Sequence, residues 1–198
     1  PAADQVKLEY QHLTFPKLGR IRFYLSQAIK DDIKNYTISR RGHHWYVSIQ
    51  VEIDIQPDYQ FESAKAIGLD MGIKHFVTTS DGDHIAPVNS FRALEKKLAI
   101  KQRRLSRKKR FSENWKKARN DVTRLHQKIA DIRRDFQHKV STQISKNHAI
   151  IVVEALKVKN MSKSASGTVE HPGENISAKS GLNKSILDQG WYEFRRQL

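Results

Sequence analysis

The run from Trp45 to Ile55 alternates, with Trp45, Val47, Ile49, Val51, Ile53 and Ile55 on one face and Tyr46, Ser48, Gln50, Glu52 and Asp54 on the other. That period of two is the mark of a half-buried antiparallel strand. Ile21–Leu25 and Tyr36–Ser39 read as strands before it, and Arg41-Gly42 supplies a turn. Pro57 and the mixed polar residues 56–64 close this β-rich part, so a domain border is expected near residue 64. A second strand pattern follows: Ala66–Ile73, His75–Ser80 and His84–Ala86, with Asp81-Gly82 as the hairpin turn, predict a three-stranded meander. From about 91 to 148 the period becomes helical, through Leu94, Leu98 and Leu105, then Ala118, Val122, Leu125, Ile129, Ile132, Phe136, Val140 and Ile144. The spacing fails at Lys109–Glu113, where Ser112 can cap a second helix, so a hairpin of two long helices is predicted. Ala149–Val153 is wholly apolar and runs into Glu154, as a strand covered on both faces reads, and it is expected beside the strand that holds Asp70. Residues 157–190 are poor in large apolar groups and predict a mobile loop, then a helix from about Leu182, with Trp191, Tyr192, Phe194 and Leu198 resuming the packing. No internal repeat is visible.

With 198 residues, 38% of them hydrophobic, the chain can bury a core, and one principal domain plus part of a second is expected. Charge sharpens this picture. Lys and Arg number 36 against 21 Asp and Glu, a net +15 that must lie on the surface and that points to a polyanion as partner. An acidic membrane is the alternative, but neither a long apolar run nor a lipidation motif is present, so no membrane partner is expected. The absence of cysteine excludes disulfides and thiolate zinc sites, and without a signal peptide pattern a cytoplasmic, nucleoid-associated setting is expected. The start at Pro1 and the stop at Leu198, inside a helical pattern, lead us to expect a piece of a longer protein.

Two features carry candidate chemistry. Asp70 ends a hydrophobic strand within Gly68-Leu69-Asp70-Met71-Gly72, and Glu154 ends another. On neighbouring strands the two carboxylates would converge on a shared Mg²⁺ or Mn²⁺, hard ions suited to phosphodiester cleavage. The rival reading is two ordinary strand-end acids meeting water. The order shifts the balance toward the first: a hairpin bearing Asp, a long helical insertion and an apolar strand ending in Glu is the succession expected of an RNase H-like nuclease. The second feature is basic. Lys96, Lys97, Lys101, Arg103, Arg104, Arg107, Lys108, Lys109, Arg110, Lys116, Lys117 and Arg119 share one segment with a single acid, Glu113. A solvated helix face mixes signs, whereas this segment suits phosphate backbone. Leu98, Leu105 and Trp115 mark its buried side; Phe111 and Trp115 are candidates for stacking on bases, with Trp115 read as core. His43, His44 and the other histidines lack metal-site spacing, and Asp31, Asp32, Asp81, Asp83 and Asp188 read as structural.

These residues resemble the TnpB family of insertion-sequence proteins, RuvC-like RNA-guided nucleases related to type V CRISPR effectors. Gly68-Leu69-Asp70-Met71-Gly72-Ile73-Lys74 resembles the family's first RuvC motif and Ile151-Val152-Val153-Glu154-Ala155-Leu156 its second. Leu105–Lys109 and Lys116–Arg119 resemble its basic helical region, and Leu13–Gly19 with Trp45–Ser48 the end of its wedge barrel. The resemblance implies an α/β fold: residues 1–64 as the last part of a wedge-like β-barrel, and residues 65–198 as a RuvC-like (RNase H-like) mixed sheet with a long basic helical hairpin. It also implies a transposon-encoded, metal-dependent DNA endonuclease with guide RNA and target DNA as partners. The family's N-terminal module, its four-Cys zinc ribbon and its third catalytic Asp have no counterpart in the sequence, so binding without efficient cleavage is expected of these residues alone. The alternatives are a non-catalytic nucleic-acid-binding module that regulates transposition and, more weakly, a basic scaffold for acidic proteins.

Overall fold

The computed structural model describes residues 7–9, 11–15, 18–29, 32–42, 44–54 and 65–198. The chain divides into two compact units, Pro1–Tyr59 and Gln60–Leu198. The expected border at residue 64, together with Ile55, Pro57, Asp31 and His43, lies outside the described residues.

The first unit is all β among its described residues. Strands β1 (Lys7–Glu9), β2 (His12–Phe15) and β3 (Gly19–Arg22) form an antiparallel sheet in that order, and β4 (Ile33–Arg41) pairs with β5 (His44–Val51). Leu13, Phe15 and Tyr36 make its core, with the Phe15 and Tyr36 rings edge to face at 5.1 Å. The alternation seen in the sequence holds along β5, where Val47, Ile49 and Val51 are half-buried between exposed neighbours. Trp45 departs from it at 68% exposure. It lines, with Tyr24, Ile38 and Ile53, an open apolar cavity of about 1410 Å³. The strand anticipated at Ile21–Leu25 starts and stops earlier, at Gly19–Arg22.

The second unit is mixed α/β. Its sheet has the order β8 (His84–Ile85), β7 (Val77–Thr79), β6 (Ala66–Asp70), β9 (Ile150–Val153). The first three strands are the predicted antiparallel meander, and β9 joins β6 in parallel, Ala66 opposite Ile150 through Leu69 opposite Val153. A parallel neighbour requires a crossover. Helices α1 (Ser90–Ser106) and α2 (Glu113–Asn147) provide it. They break where the apolar spacing fails, and the Ser112 side chain accepts from Trp115 N at 3.2 Å as the N-cap of α2. Leu98, Leu125 and Ile129 hold the hairpin together, while Leu105 and Trp115 are only half-buried.

The C-terminal half of α2 supplies Val140 and Ile144 to a core with Ile67, Leu69, Phe76 and Val77. The short helix α3 (Val158–Met161), α4 (Ile176–Gln189) and α5 (Trp191–Gln197) complete it through Ile186, Trp191 and Phe194. Three expectations need correction. Helix α4 begins at Ile176 rather than near Leu182, because Lys179 Nζ donates to Met161 O (2.6 Å) and Asn183 Nδ2 to Ser162 O (3.0 Å), polar anchors that leave no hydrophobic period. Strand β9 is covered on one face only: Ile151 and Val153 turn to the core, while Ile150 and Val152 are 51% and 61% exposed. Tyr192 is likewise exposed, at 78%.

Candidate functional site

In β6 the residues alternate between core and open face: Ile67 and Leu69 are buried, and Ala66 and Asp70 are exposed. Gly68 sits between them on the open face against Ser80, whose Oγ accepts from Gly68 N (3.1 Å) while Ser80 N donates to Gly68 O (2.9 Å). Parallel register then carries the same face onto β9, with Gly68 opposite Val152. Asp70 and Glu154 each follow the last paired residues, Leu69 and Val153, so both acids lie at the carboxyl ends of adjacent parallel strands. Adjacent strands lie about 4.8 Å apart. Both acids are exposed, and among the described residues neither carboxylate accepts a hydrogen bond or forms an ion pair.

The same face continues across the meander. Asp70 pairs with Thr78, Thr78 pairs with His84, and Thr78 Oγ1 lies 3.3 Å from His84 Nδ1. The His75 ring stacks on His84 with centroids 4.4 Å apart. A row of Glu154, Asp70, Thr78 and His84 therefore crosses the sheet, with His75 beside it. The sequence, read for metal spacing, gave these two imidazoles no role. The signal was indirect: His75 and His84 bracket β7 and its hairpin, and only the strand register brings them together. Asp81 and Asp83 belong to the turn, where Gly82 takes φ 91° and Asp83 N donates to Thr79 Oγ1 (3.0 Å).

Asp188 has another use. It is 4% exposed and caps the N-terminus of α1, accepting from Ser90 Oγ (3.1 Å), Phe91 N (2.9 Å) and Arg92 N (3.2 Å). Among the described residues no group of three or more His, Cys, Asp or Glu is placed to hold a metal ion. Asp70 and Glu154, without hydrogen-bond or ion-pair partners among the described residues, are the two oxygen donors that could meet a Mg²⁺-like ion, which is bound through one or two carboxylates and completes its shell with water and phosphate.

The basic residues occupy the hairpin far from these acids in sequence. Lys96, Lys97, Lys101, Arg103 and Arg104 lie on α1, Arg107, Lys108, Lys109 and Arg110 in the turn, and Lys116, Lys117 and Arg119 on the first turns of α2. All are exposed except Lys101, which is half-buried and 3.4 Å from Asp121. Lys116 meets Glu113 at 2.6 Å, and that contact holds the Glu113 carboxyl below the usual carboxylate range. The rest have no carboxylate within ion-pair distance among the described residues, so their charge faces outward. Arg124 and Lys128 extend the exposed basic surface along α2 beyond the segment that composition marked.

A family model described as "Probable transposase" (OrfB_IS605) matches residues 48–165, a span that includes Asp70, the whole hairpin and Glu154. The chain belongs to the OrfB_IS605, or TnpB, family. Within it, the "Putative RNA-guided DNA endonuclease InsQ" of Escherichia coli (strain K12) is 52% identical over 198 residues, 100% of this chain and 49% of that protein. The "Putative RNA-guided DNA endonuclease" of Streptomyces pristinaespiralis is 36% identical over 163 residues, 82% of this chain and 36% of that protein. The chain thus spans about half the length of the first of these relatives and less of the second.

Proposed function

We propose that these residues form part of a transposon-encoded, RNA-guided DNA endonuclease, with a RuvC-like site at Asp70 and Glu154 and guide RNA and target DNA held along the basic hairpin. The observation that carries this reading is the parallel pairing of β6 with β9, two adjacent strands whose carboxyl ends run into exposed acids, Asp70 and Glu154. Support for an RNase H-like fold comes from the strand order β8-β7-β6-β9, an antiparallel meander with a parallel fourth strand reached through helices. The names of the family's relatives point the same way. The three-stranded and two-stranded sheets of the first unit fit the closing part of a wedge barrel. No helix among the described residues is long and apolar enough to cross a membrane, and a cytoplasmic, nucleoid-associated site of action suits a DNA substrate.

Asp70 and Glu154 would hold Mg²⁺ or Mn²⁺ between them; such an ion, when bound, activates water and stabilises the leaving oxygen of a phosphodiester. The chain itself supplies an open, solvent-facing strand end that a sugar–phosphate backbone can reach, and a cationic surface that holds the polyanion. No zinc is assigned to these residues.

A second reading has its own observation. With only two acids at the strand ends and Asp188 committed to capping α1, the described residues offer a binding surface with an incomplete ligand set. A non-catalytic module regulating transposition would look the same. The test is cleavage of guide-matched DNA by the full-length protein with Mg²⁺ or Mn²⁺, comparing wild type with Asp70→Asn and Glu154→Gln. The nuclease reading expects rates to fall at least about 100-fold, the scale of losing a residue that acts only in the transition state, with RNA affinity kept. Cleavage at the wild-type rate in both variants would sink it in favour of the binding module.

A further inference from the structure

The turn between α1 and α2 contains an aromatic side chain where ordinary turn chemistry would place glycine or asparagine. Phe111 has φ 67°, in the left-handed region that a bulky residue enters only when its surroundings hold it there. They do so here: Ser112 Oγ donates to Lys109 O (2.8 Å), Ser112 N donates to the same oxygen (3.2 Å), and Ser112 caps α2. The ring held in this way is 67% exposed. It lies 5.5 Å from the half-buried Trp115 ring, with the Arg110 guanidinium 4.9 Å over Phe111 and that of Arg119 5.5 Å over Trp115. Cationic and aromatic planes therefore come together at the tip of the hairpin, with Lys108 and Lys109 exposed beside them.

We propose that this tip is a base-stacking site, in which Phe111, backed by Trp115, takes an unpaired nucleobase of single-stranded RNA or DNA. Every base has a flat π face that stacks on an aromatic ring or a guanidinium plane, and flanking lysines meet the phosphates on either side. Among the described residues the ring packs beside Trp115 but stays 67% exposed, so the strained backbone holds most of a hydrophobic ring in water. The result is a fixed platform for a planar ligand. The inference rests on the nucleic-acid part of the proposed function and is independent of Asp70 and Glu154.

The test measures affinity of the 198-residue chain by fluorescence anisotropy at fixed salt. The probes are short single-stranded DNA and RNA oligonucleotides, each with and without abasic sites at its central positions. Wild type is expected to bind the base-bearing strand roughly 5- to 150-fold more tightly than the abasic one, the range of one base–aromatic stack. Phe111→Gly is expected to lose that preference while keeping its affinity for the abasic strand, and Phe111→Trp to restore it. Phe111→Gly should also melt at or above the wild-type temperature, since glycine adopts φ 67° without strain, which separates loss of stacking from loss of folding. A preference seen with RNA alone or DNA alone supports the site and names its strand. An unchanged base preference in Phe111→Gly overturns the stacking site alone. Absence of binding to any of the probes overturns it together with the wider nucleic-acid reading.

Discussion

Asp188 shows how a single side chain can do what its neighbourhood in sequence gives no hint of. The N-cap position of α1, Asn89, sits at φ 44° and makes no side-chain cap, leaving the first amides of the helix without a local acceptor. Asp188, 97 residues from Phe91, supplies the acceptor from α4, with Arg133 Nη1 3.8 Å from its carboxylate. Asp188→Ala strands the Ser90 hydroxyl and two amides at a buried site. That costs about 2–3 kcal/mol, which thermal melting should register as a fall of about 5–10 °C; a fall under a degree would mean water replaces the carboxylate. The Glu193–Arg196 pair makes a contrasting, exposed case. Its hydrogen bonds of 2.7 and 3.0 Å hold the Glu193 carboxyl down from the ordinary 4.5 to about 2. A carboxyl whose folded pKa is depressed contributes stability above its unfolded pKa and loses it as pH falls through the folded one. Glu193→Gln should therefore melt about 1–3 °C lower than wild type near neutrality, with the gap closing between about pH 4.5 and 2 and shrinking in high salt. A gap that widens in acid would contradict this assignment.

Elements that announce themselves by period were legible in the chain, and those held by polar contacts were not. The break between α1 and α2 coincides with a lapse in apolar spacing and a capping serine, and the β6/β9 pairing follows from an apolar run that returns after a helical crossover. Strands β1 and β2 are only three and four residues long, too short for alternation to register. The joint between α4 and α5 is a further case, because its determinants are scattered. Gly190 at φ 68° ends α4, and Gln137 of α2, 1% exposed, donates through Nε2 to Gln189 O (2.8 Å) and Gly190 O (2.9 Å). Gln189 O is a carbonyl of the kind a helix end leaves without a helical partner, whereas Gly190 O also accepts from Glu193 N (3.0 Å) and Phe194 N (3.2 Å) at the start of α5. A Cβ at position 190 would stand 2.8 Å from Gln137 Nε2. Gly190→Ala thus meets left-handed strain of about 1–2 kcal/mol and displaces the clamp as well. A double-mutant cycle with Gln137→Ala should show the two changes to be non-additive; additive losses would show that the glycine acts through its backbone alone. The candidate site divides along the same line. Asp70 and Glu154 could be read from strand ends, but the Thr78–His84–His75 continuation exists only through register, and Trp115, read as core, is half-buried beside Phe111 at the hairpin tip.

At the scale of the whole chain, the surplus of 15 positive charges is not spread evenly, since twelve basic residues fall between positions 96 and 119 against one acid. If that hairpin is where polyanion binds, its cations determine how affinity responds to salt. Each phosphate neutralised releases counterions, giving a slope of log K against log salt of about −0.7 per contact for single strands and −0.9 for duplex. Replacing Lys108, Lys109, Lys116 and Lys117 by alanine removes four exposed cations from the turn and the start of α2 without touching Leu98, Leu125 or Ile129, which hold the helices together. The slope should become shallower by about 3 if all four meet phosphate, and by about 2 if Lys116 stays with Glu113 at 2.6 Å. Charge alone predicts a different result: were binding a diffuse response to net charge, replacing four of the cations outside the hairpin, such as Lys7, Lys34, Lys74 and Lys163, would flatten the slope equally. A salt titration of both quadruple variants separates the cases. A steep loss confined to the hairpin variant places the interface at the turn and the start of α2. Equal losses would leave the hairpin as one charged surface among several, and the proposed site at Asp70 and Glu154 without a dedicated track leading to it.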